Sequence, residues 1–225
     1  MTDYALIRSN RRTLAIYVRG EGVEVRAPQG ATLRQIEDFL ASKEAWIASK
    51  MAESAHRLRQ RAGFRLDYGD TVFYRGKRYP IVALEDGVGG FDGAHFCVPP
   101  SLEPGGIKQA CVQIYHLLAK DYLIARVFDV ARNMNVMPAA VRISKAKRQW
   151  GSCSAKGKLS FSWRLIMADD EVIDYVIVHE LAHLSQMNHS PHFWQVVERE
   201  LPDYKQRQKR LQQMQECLAV QDWDV

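Results

Sequence analysis

The chain has 225 residues and no uninterrupted run of about 18 apolar ones, so it holds no candidate transmembrane helix. Its opening segment, Met1 to Arg12, lacks the apolar stretch of a secretory signal, which predicts a protein that is not exported. Cysteine is scarce and scattered: Cys97, Cys111, Cys153 and Cys217 form no Cys-x-x-Cys pair. That pattern excludes a disulfide framework and fits a reducing, cytoplasmic setting without a membrane. No Walker loop is present, and no carboxylate cluster offers itself to magnesium. The glycine group Gly87-Val88-Gly89-Gly90 lacks the spacing of a phosphate cradle, and no helical pattern follows it. Repeats and low-complexity tracts are also missing.

What is present is an ordinary globular mixture, 47% hydrophobic and 25% charged. A chain of this size buries roughly 70% of its unfolded surface and holds a core without covalent staples. Net charge is +5, but its distribution is more informative. Between Val141 and Ala168 stand Arg142, Lys145, Lys147, Arg148, Lys156, Lys158 and Arg164, with no acid at all. From Asp169 to Val225 five basic residues face eleven acidic ones. Either the two blocks neutralise each other or lie solvated, or the basic 141–168 segment serves an anionic partner: nucleic acid, nucleotide or acidic peptide.

Alternating and β-branched residues predict strands at Tyr4–Ile7, Thr13–Val18 and Val23–Arg26. Thr32 is placed to cap a helix running to about Arg61, with Phe39 and Trp46 expected to pack inward. Strands return at Thr71–Tyr74, Tyr79–Leu84 and Ala94–Val98, and the proline- and glycine-rich stretch from Pro99 to Gly106 suggests a boundary. The expected division is therefore an N-terminal β-rich and helical module, 1–104, and a second domain, 105–225, in an α+β fold. In the second, a long helix from about Ile107 to Asn133 precedes strands at Val141–Ser144 and Leu159–Trp163, the latter a candidate sheet edge for an extended peptide. A helix from Val172 to about Gln186, another opening at Ser190-Pro191, and a last one from Tyr204 to Leu218 complete the pattern.

The string that carries chemistry is His179-Glu180-Leu181-Ala182-His183. On a helix, residues i and i+4 lie one above the other, so His179 and His183 point two imidazoles at one metal ion. Glu180 sits one residue round, able to reach a metal-bound water without ligating the metal. The preceding Ile173 to Val178 turns are largely apolar, and burying unpartnered histidines and a glutamate there would be costly. A third ligand must come from further on: His189, six residues after His183, is favoured, with His192, Glu198 and Glu200 as alternatives. The position at which metzincins carry a turn glycine is Gln186, so the chain must reverse by another route.

Three strings in order, Arg148-Gln149-Trp150-Gly151-Ser152-Cys153-Ser154, Trp163-Arg164-Leu165, and Asp174 to His183 with Asn188-His189-Ser190 and Phe193-Trp194, together resemble the YgjP-like metallopeptidase family, relatives of the SprT/Spartan-like zinc proteases. The Ser9 to Thr13 and Val25 to Pro28 segments extend the resemblance over nearly the whole chain. Gln149 and Ser162 depart from residues common in that family. The resemblance implies a minimal zincin-like domain in which His179, His183 and His189 hold Zn2+ and Glu180 is the catalytic base, acting on a peptide or protein substrate. It also brings two alternatives, a UTP pyrophosphatase-like nucleotide hydrolase and a DNA-associated protease. Trp150 is expected either to pack a turn against the zinc helix or, with Arg148 and Arg164, to line the cleft and stabilise an oxyanion. Cys153 as a fourth ligand would close the site to catalysis.

Overall fold

The computed structural model describes residues 3–84 and 89–225, so Gly87 and Val88 of the glycine cluster lie outside the described residues. Among those residues the fold is mixed α/β, with six α-helices and three small sheets. No helix is long and apolar enough to cross a membrane.

Two compact units emerge: residues 1–64 with 218–222, and 65–217 with 223–225. The boundary falls between Phe64 and Arg65, and the proline-glycine break before residue 107 lies inside the second unit. In the first unit β1 (Tyr4–Ser9), β2 (Ala15–Arg19) and β3 (Gly22–Pro28) form a sheet in the order β1-β3-β2. Alternation along β3 sends Val23, Val25 and Ala27 to one face, where they pack with Ile36 and Ile47. Those two belong to α1 (Leu33–Ser42) and α2 (Glu44–Gly63), which replace the single helix expected here. Thr32 and Gln35 cap α1 reciprocally, the Thr32 hydroxyl accepting from the Gln35 amide and the Gln35 side chain accepting from the Thr32 amide. Trp46 is not inward: it is 45% exposed, because the buried side of α2 is taken by its neighbour Ile47, about 100° round the helix.

The second unit opens with β4 (Thr71–Tyr74), β5 (Lys77–Ala83), β6 (Gly90–Phe91) and β7 (Phe96–Val98), ordered β4-β5-β7-β6. The long helix α3 (Pro104–Asn133) buries Ile107, Cys111, Ile114, Tyr115, Leu123 and Val127 along one side. It packs against a sheet of β8 (Ala140–Ser144), β9 (Gly151–Cys153) and β10 (Lys158–Ser162). The order is β8-β10-β9, with β10 parallel to β8 and antiparallel to β9. The segment expected to be a sheet edge is therefore the central strand, and the open edge beside the later helices belongs to β9, where the sequence leaves a turn or a cleft-lining segment as alternatives. After β10 a single 3₁₀ stretch, Trp163–Met167, buries all its residues but Arg164 and leads into α4 (Asp170–Ala182). Then follow α5 (Pro191–Glu200) and α6 (Tyr204–Ala219).

Candidate metal centre and active site

The helix α4 starts where it does because Asp169 caps it, its carboxylate accepting from the Val172 amide at 3.0 Å. Acids at its first turn suit the helix dipole, and each is tied to an arginine. Arg75 makes a bidentate pair with Asp170 at 2.8 and 2.6 Å, and the Tyr122 hydroxyl donates to the same carboxylate. Arg126 grips Asp174 with two bonds of 2.7 Å. Arg210 pairs with Asp169 and Glu171. Arg75 sits at the tip of the β4–β5 hairpin with a positive φ of 49°, and the adjacent Gly76 passes so close that an added Cβ would stand 2.6 Å from the Asp169 Cβ. None of these partners was legible in the sequence; Arg75 and Asp170 are 95 residues apart.

At the other end α4 stops at Ala182, a turn earlier than periodicity suggested. The amides of Leu184, Ser185 and Gln186 bond back to Leu181 and Ala182, tightening the chain into a reversal that needs no glycine. This reversal aims the Gln186 carbonyl at His183, whose Nδ1–H donates to it at 3.0 Å. That bond fixes the tautomer and leaves Nε2 of His183 with a free lone pair. Asn188 accepts from the Ser190 amide and turns the chain into α5, presenting His189.

The ligand atoms of His179, His183 and His189 all lie within 4.8 Å of one another, and Nε2 of His179 is 3.0 Å from Nε2 of His189. Two nitrogens each about 2.0–2.1 Å from one ion stand about 3 Å apart, so the set fits a divalent cation. Burial pushes His179 down to about 4, with His183 and His189 adding to the effect, and His183 is lowered too. Both rings are thus neutral, as ligation requires. Phe193 lies edge-on to His179 and His189, while Trp194 stacks on His189 and in turn on Tyr204. This aromatic wall, supplied by α5 and the start of α6, had no sequence signal beyond the presence of the two rings.

Glu180 is only 6% exposed. Desolvation raises its carboxyl to about 7, and its Oε2 has no hydrogen-bond partner, nor has the buried Nδ1 of His179. Buried polar atoms without partners are expensive, and the Glu180 oxygen beside the histidine group marks a place where something outside the chain belongs. Gly151, at the start of β9, lies against this carboxylate: a Cβ there would stand 2.5 Å from Glu180 Cγ and 2.8 Å from Oε1. Only glycine permits that approach, which accounts for the Gly after Trp150.

The remaining sequence candidates divide clearly. His192 bonds to Gln195 on its own helix and Glu200 pairs with Arg199; neither they nor Glu198 join the histidine group. Cys153 is not part of it either, and its thiol is raised by burial and then by Glu180, which disfavours the thiolate a metal needs. Arg148 is exposed and Trp150 half-buried. Arg164 is bound to Asp224 and to the Ala146 carbonyl and lies over the Trp163 ring.

A family model described as YgjP-like, metallopeptidase domain, matches residues 12–214. No curated protein matches the chain. Among solved structures, that of the metallopeptidase zymogen of Pyrococcus abyssi abylysin is similar over 44% of this chain and 98% of that chain, at 21% identity and a TM-score of 0.39.

Proposed function

We propose that this chain, which belongs to the YgjP-like metallopeptidase-domain family, hydrolyses peptide bonds with zinc held by His179, His183 and His189 and with Glu180 as general base. The observation that carries the reading is the convergence of three imidazoles beside a buried carboxylate with one oxygen that has no partner. A zinc ion bound there supplies Lewis-acid polarisation of the scissile carbonyl and acidifies water.

The chain's own residues do the rest. Glu180 takes a proton on Oε2 from the attacking water and returns it to the nitrogen of the departing amine. Burial raises that carboxyl above the ordinary carboxylate value, which makes it a stronger proton acceptor. Gly151, having no side chain, lets β9 lie directly against it. Paired among the described residues with β10 alone, β9 offers one edge of backbone donors and acceptors to an extended substrate. Arg148 and Trp150, immediately before that strand, are assigned to substrate contact. Arg164 acts indirectly: with Ser162, which donates to the same Ala146 carbonyl, and with the Lys147–Asp224 pair, it fixes the loop carrying Arg148 and Trp150. Residues 105–225 are read as a minimal zincin-like catalytic part.

The test is zinc content together with parallel assays on casein and UTP for the wild type and Glu180→Gln. Casein cleavage should fall by about 10³-fold in the variant while zinc is retained, as expected for loss of a general base. UTP turnover without casein cleavage would overturn the peptidase reading, and absence of zinc would overturn the metal site.

A further inference from the structure

The structure assigns a second role to the basic 141–168 segment. We infer that a groove on the outer face of the β8-β10-β9 sheet selects substrates bearing an acidic side chain close to the bond cut, with Arg142 and Lys158 receiving its carboxylate. This rests on the peptidase reading above and names a substrate class for it.

Strand register builds the groove. Ser160 of β10 pairs with Arg142 of β8 on one side and with Ser152 of β9 on the other, so the three side chains form one row across one face. Lys158, two residues along β10, shares that face, whereas Leu159 and Phe161 alternate to the opposite face and are buried. Above the row lies a groove of about 590 Å³ to which Arg142, Ser152, Ser154, Lys158 and Ser160 contribute, large enough for a side chain and its water.

Its charge is of one sign and uncompensated. Lys147 and Arg164 are both paired with Asp224. Arg142 and Lys158, by contrast, have no ion-pair partner among the described residues, and no acidic residue lines the groove. A concave surface with hydroxyl donors, two free cations and no acid concentrates anions. Its position identifies which anion. Ser152 of the groove follows Gly151, whose Cβ direction meets Glu180 on the opposite face, the one that Phe161 shares by pairing with Gly151. A peptide paired along the edge of β9 with its scissile bond at Glu180 turns successive side chains to alternate faces, so a residue next to that bond points to the groove face. The guanidinium of Arg142 can take a carboxylate in a two-pronged bond, with Lys158 as a point charge beside it. A polyphosphate is less suited, because among the described residues the histidine triad is the only metal-ligating group and none serves a magnesium-bound phosphate.

The test uses the zinc-loaded full chain carrying Glu180→Gln, and three fluorescent peptides identical except for Glu, Gln or Lys next to the cleavage point. Anisotropy at low salt should show the Glu peptide bound about fivefold more tightly than the Gln peptide, the scale of a partly exposed charge pair, with the preference fading as salt is added. Adding Arg142→Glu and Lys158→Glu should invert the order, so that the Lys peptide binds best. Lys156→Glu, a charge change in the same segment outside the groove lining, should keep the original order. Equal binding of Glu and Gln peptides overturns the inference, as does UTP binding that needs Arg142 and Lys158 while the peptides are not discriminated. Casein cleavage by the wild type is followed in parallel: its absence counts against the hydrolase reading, while the binding order still decides the groove.

Discussion

At its N-terminal end α4 is held by Arg75, Arg126, Arg210 and Tyr122, and Asp169, Asp170, Glu171 and Asp174 each have a bonded partner. At its C-terminal end, two turns later, His179 and Glu180 bury polar atoms with no partner. One helix thus combines an over-determined anchor with an unsatisfied site. Unpartnered groups hold a functional geometry only if the backbone beneath them cannot relax, and the charged anchor supplies that rigidity from outside the cleft. The same contrast separates residues whose loss should remove chemistry from residues whose loss should remove stability.

The largest effect is expected at the unsatisfied end. His183→Ala should lower zinc affinity by more than about 100-fold. Elemental analysis after dialysis should then find the variant essentially metal-free, and added zinc should raise the melting temperature of the wild type but not of the variant. A variant that keeps its zinc would show that the ion sits elsewhere.

Gly151→Ala attacks the same end without touching a ligand. The new methyl would overlap Glu180 at 2.5 Å, so the carboxylate must move while the histidines stay. Peptidase activity should drop by about 10–100-fold, the cost of misplacing a catalytic group by an ångström, with zinc content unchanged. Unchanged activity would mean that β9 does not hold Glu180 in place.

Breaking the anchor should have a smaller and different outcome. Arg126→Ala removes a half-exposed pair with Asp174, for which about 1 kcal/mol is expected after allowance for solvent screening. In a domain of this size that lowers Tm by about 2–4 °C, measurable by thermal scanning calorimetry, with zinc still bound. Metal loss in this variant would show that the two ends are coupled more tightly than the contacts suggest.

The smallest effect concerns acid. Arg75 first, then Tyr122, hold the Asp170 carboxyl below its ordinary value. A depressed folded pKa contributes stability above the unfolded value of about 3.9 that is lost as pH falls through the folded one. Urea unfolding at pH 6 and pH 3 should therefore show a smaller acid-induced loss for Asp170→Asn than for the wild type. Equal losses would place the acid sensitivity in other carboxylates.

Much of the site could be read without coordinates because its logic is local. His179 and His183 meet through helical spacing, Asp169 caps the helix that carries them, and Ser190-Pro191 starts the helix after His189. The Thr32 cap and the strand alternation of Val23, Val25 and Ala27 were equally local. What escaped depended on partners distant in sequence. The Leu159 segment looked like any short strand, and only its pairing on both sides made it central and left β9 at the edge. Trp46 is exposed because the core side of α2 is occupied by Ile47, a choice between neighbouring apolar residues that depends on what the sheet offers to pack against.

The sequence by itself determined the helices, most of the strands and a histidine pair poised for one ion, since backbone periodicity and capping act over a few residues. Only the tertiary structure brought His189 to that pair, pressed Gly151 on Glu180, tied Arg75 and Arg126 to α4, and left Arg142 and Lys158 above the sheet without an ion-pair partner among the described residues. Those contacts follow from sheet register and from burial of the shared core, which no short window of residues encodes.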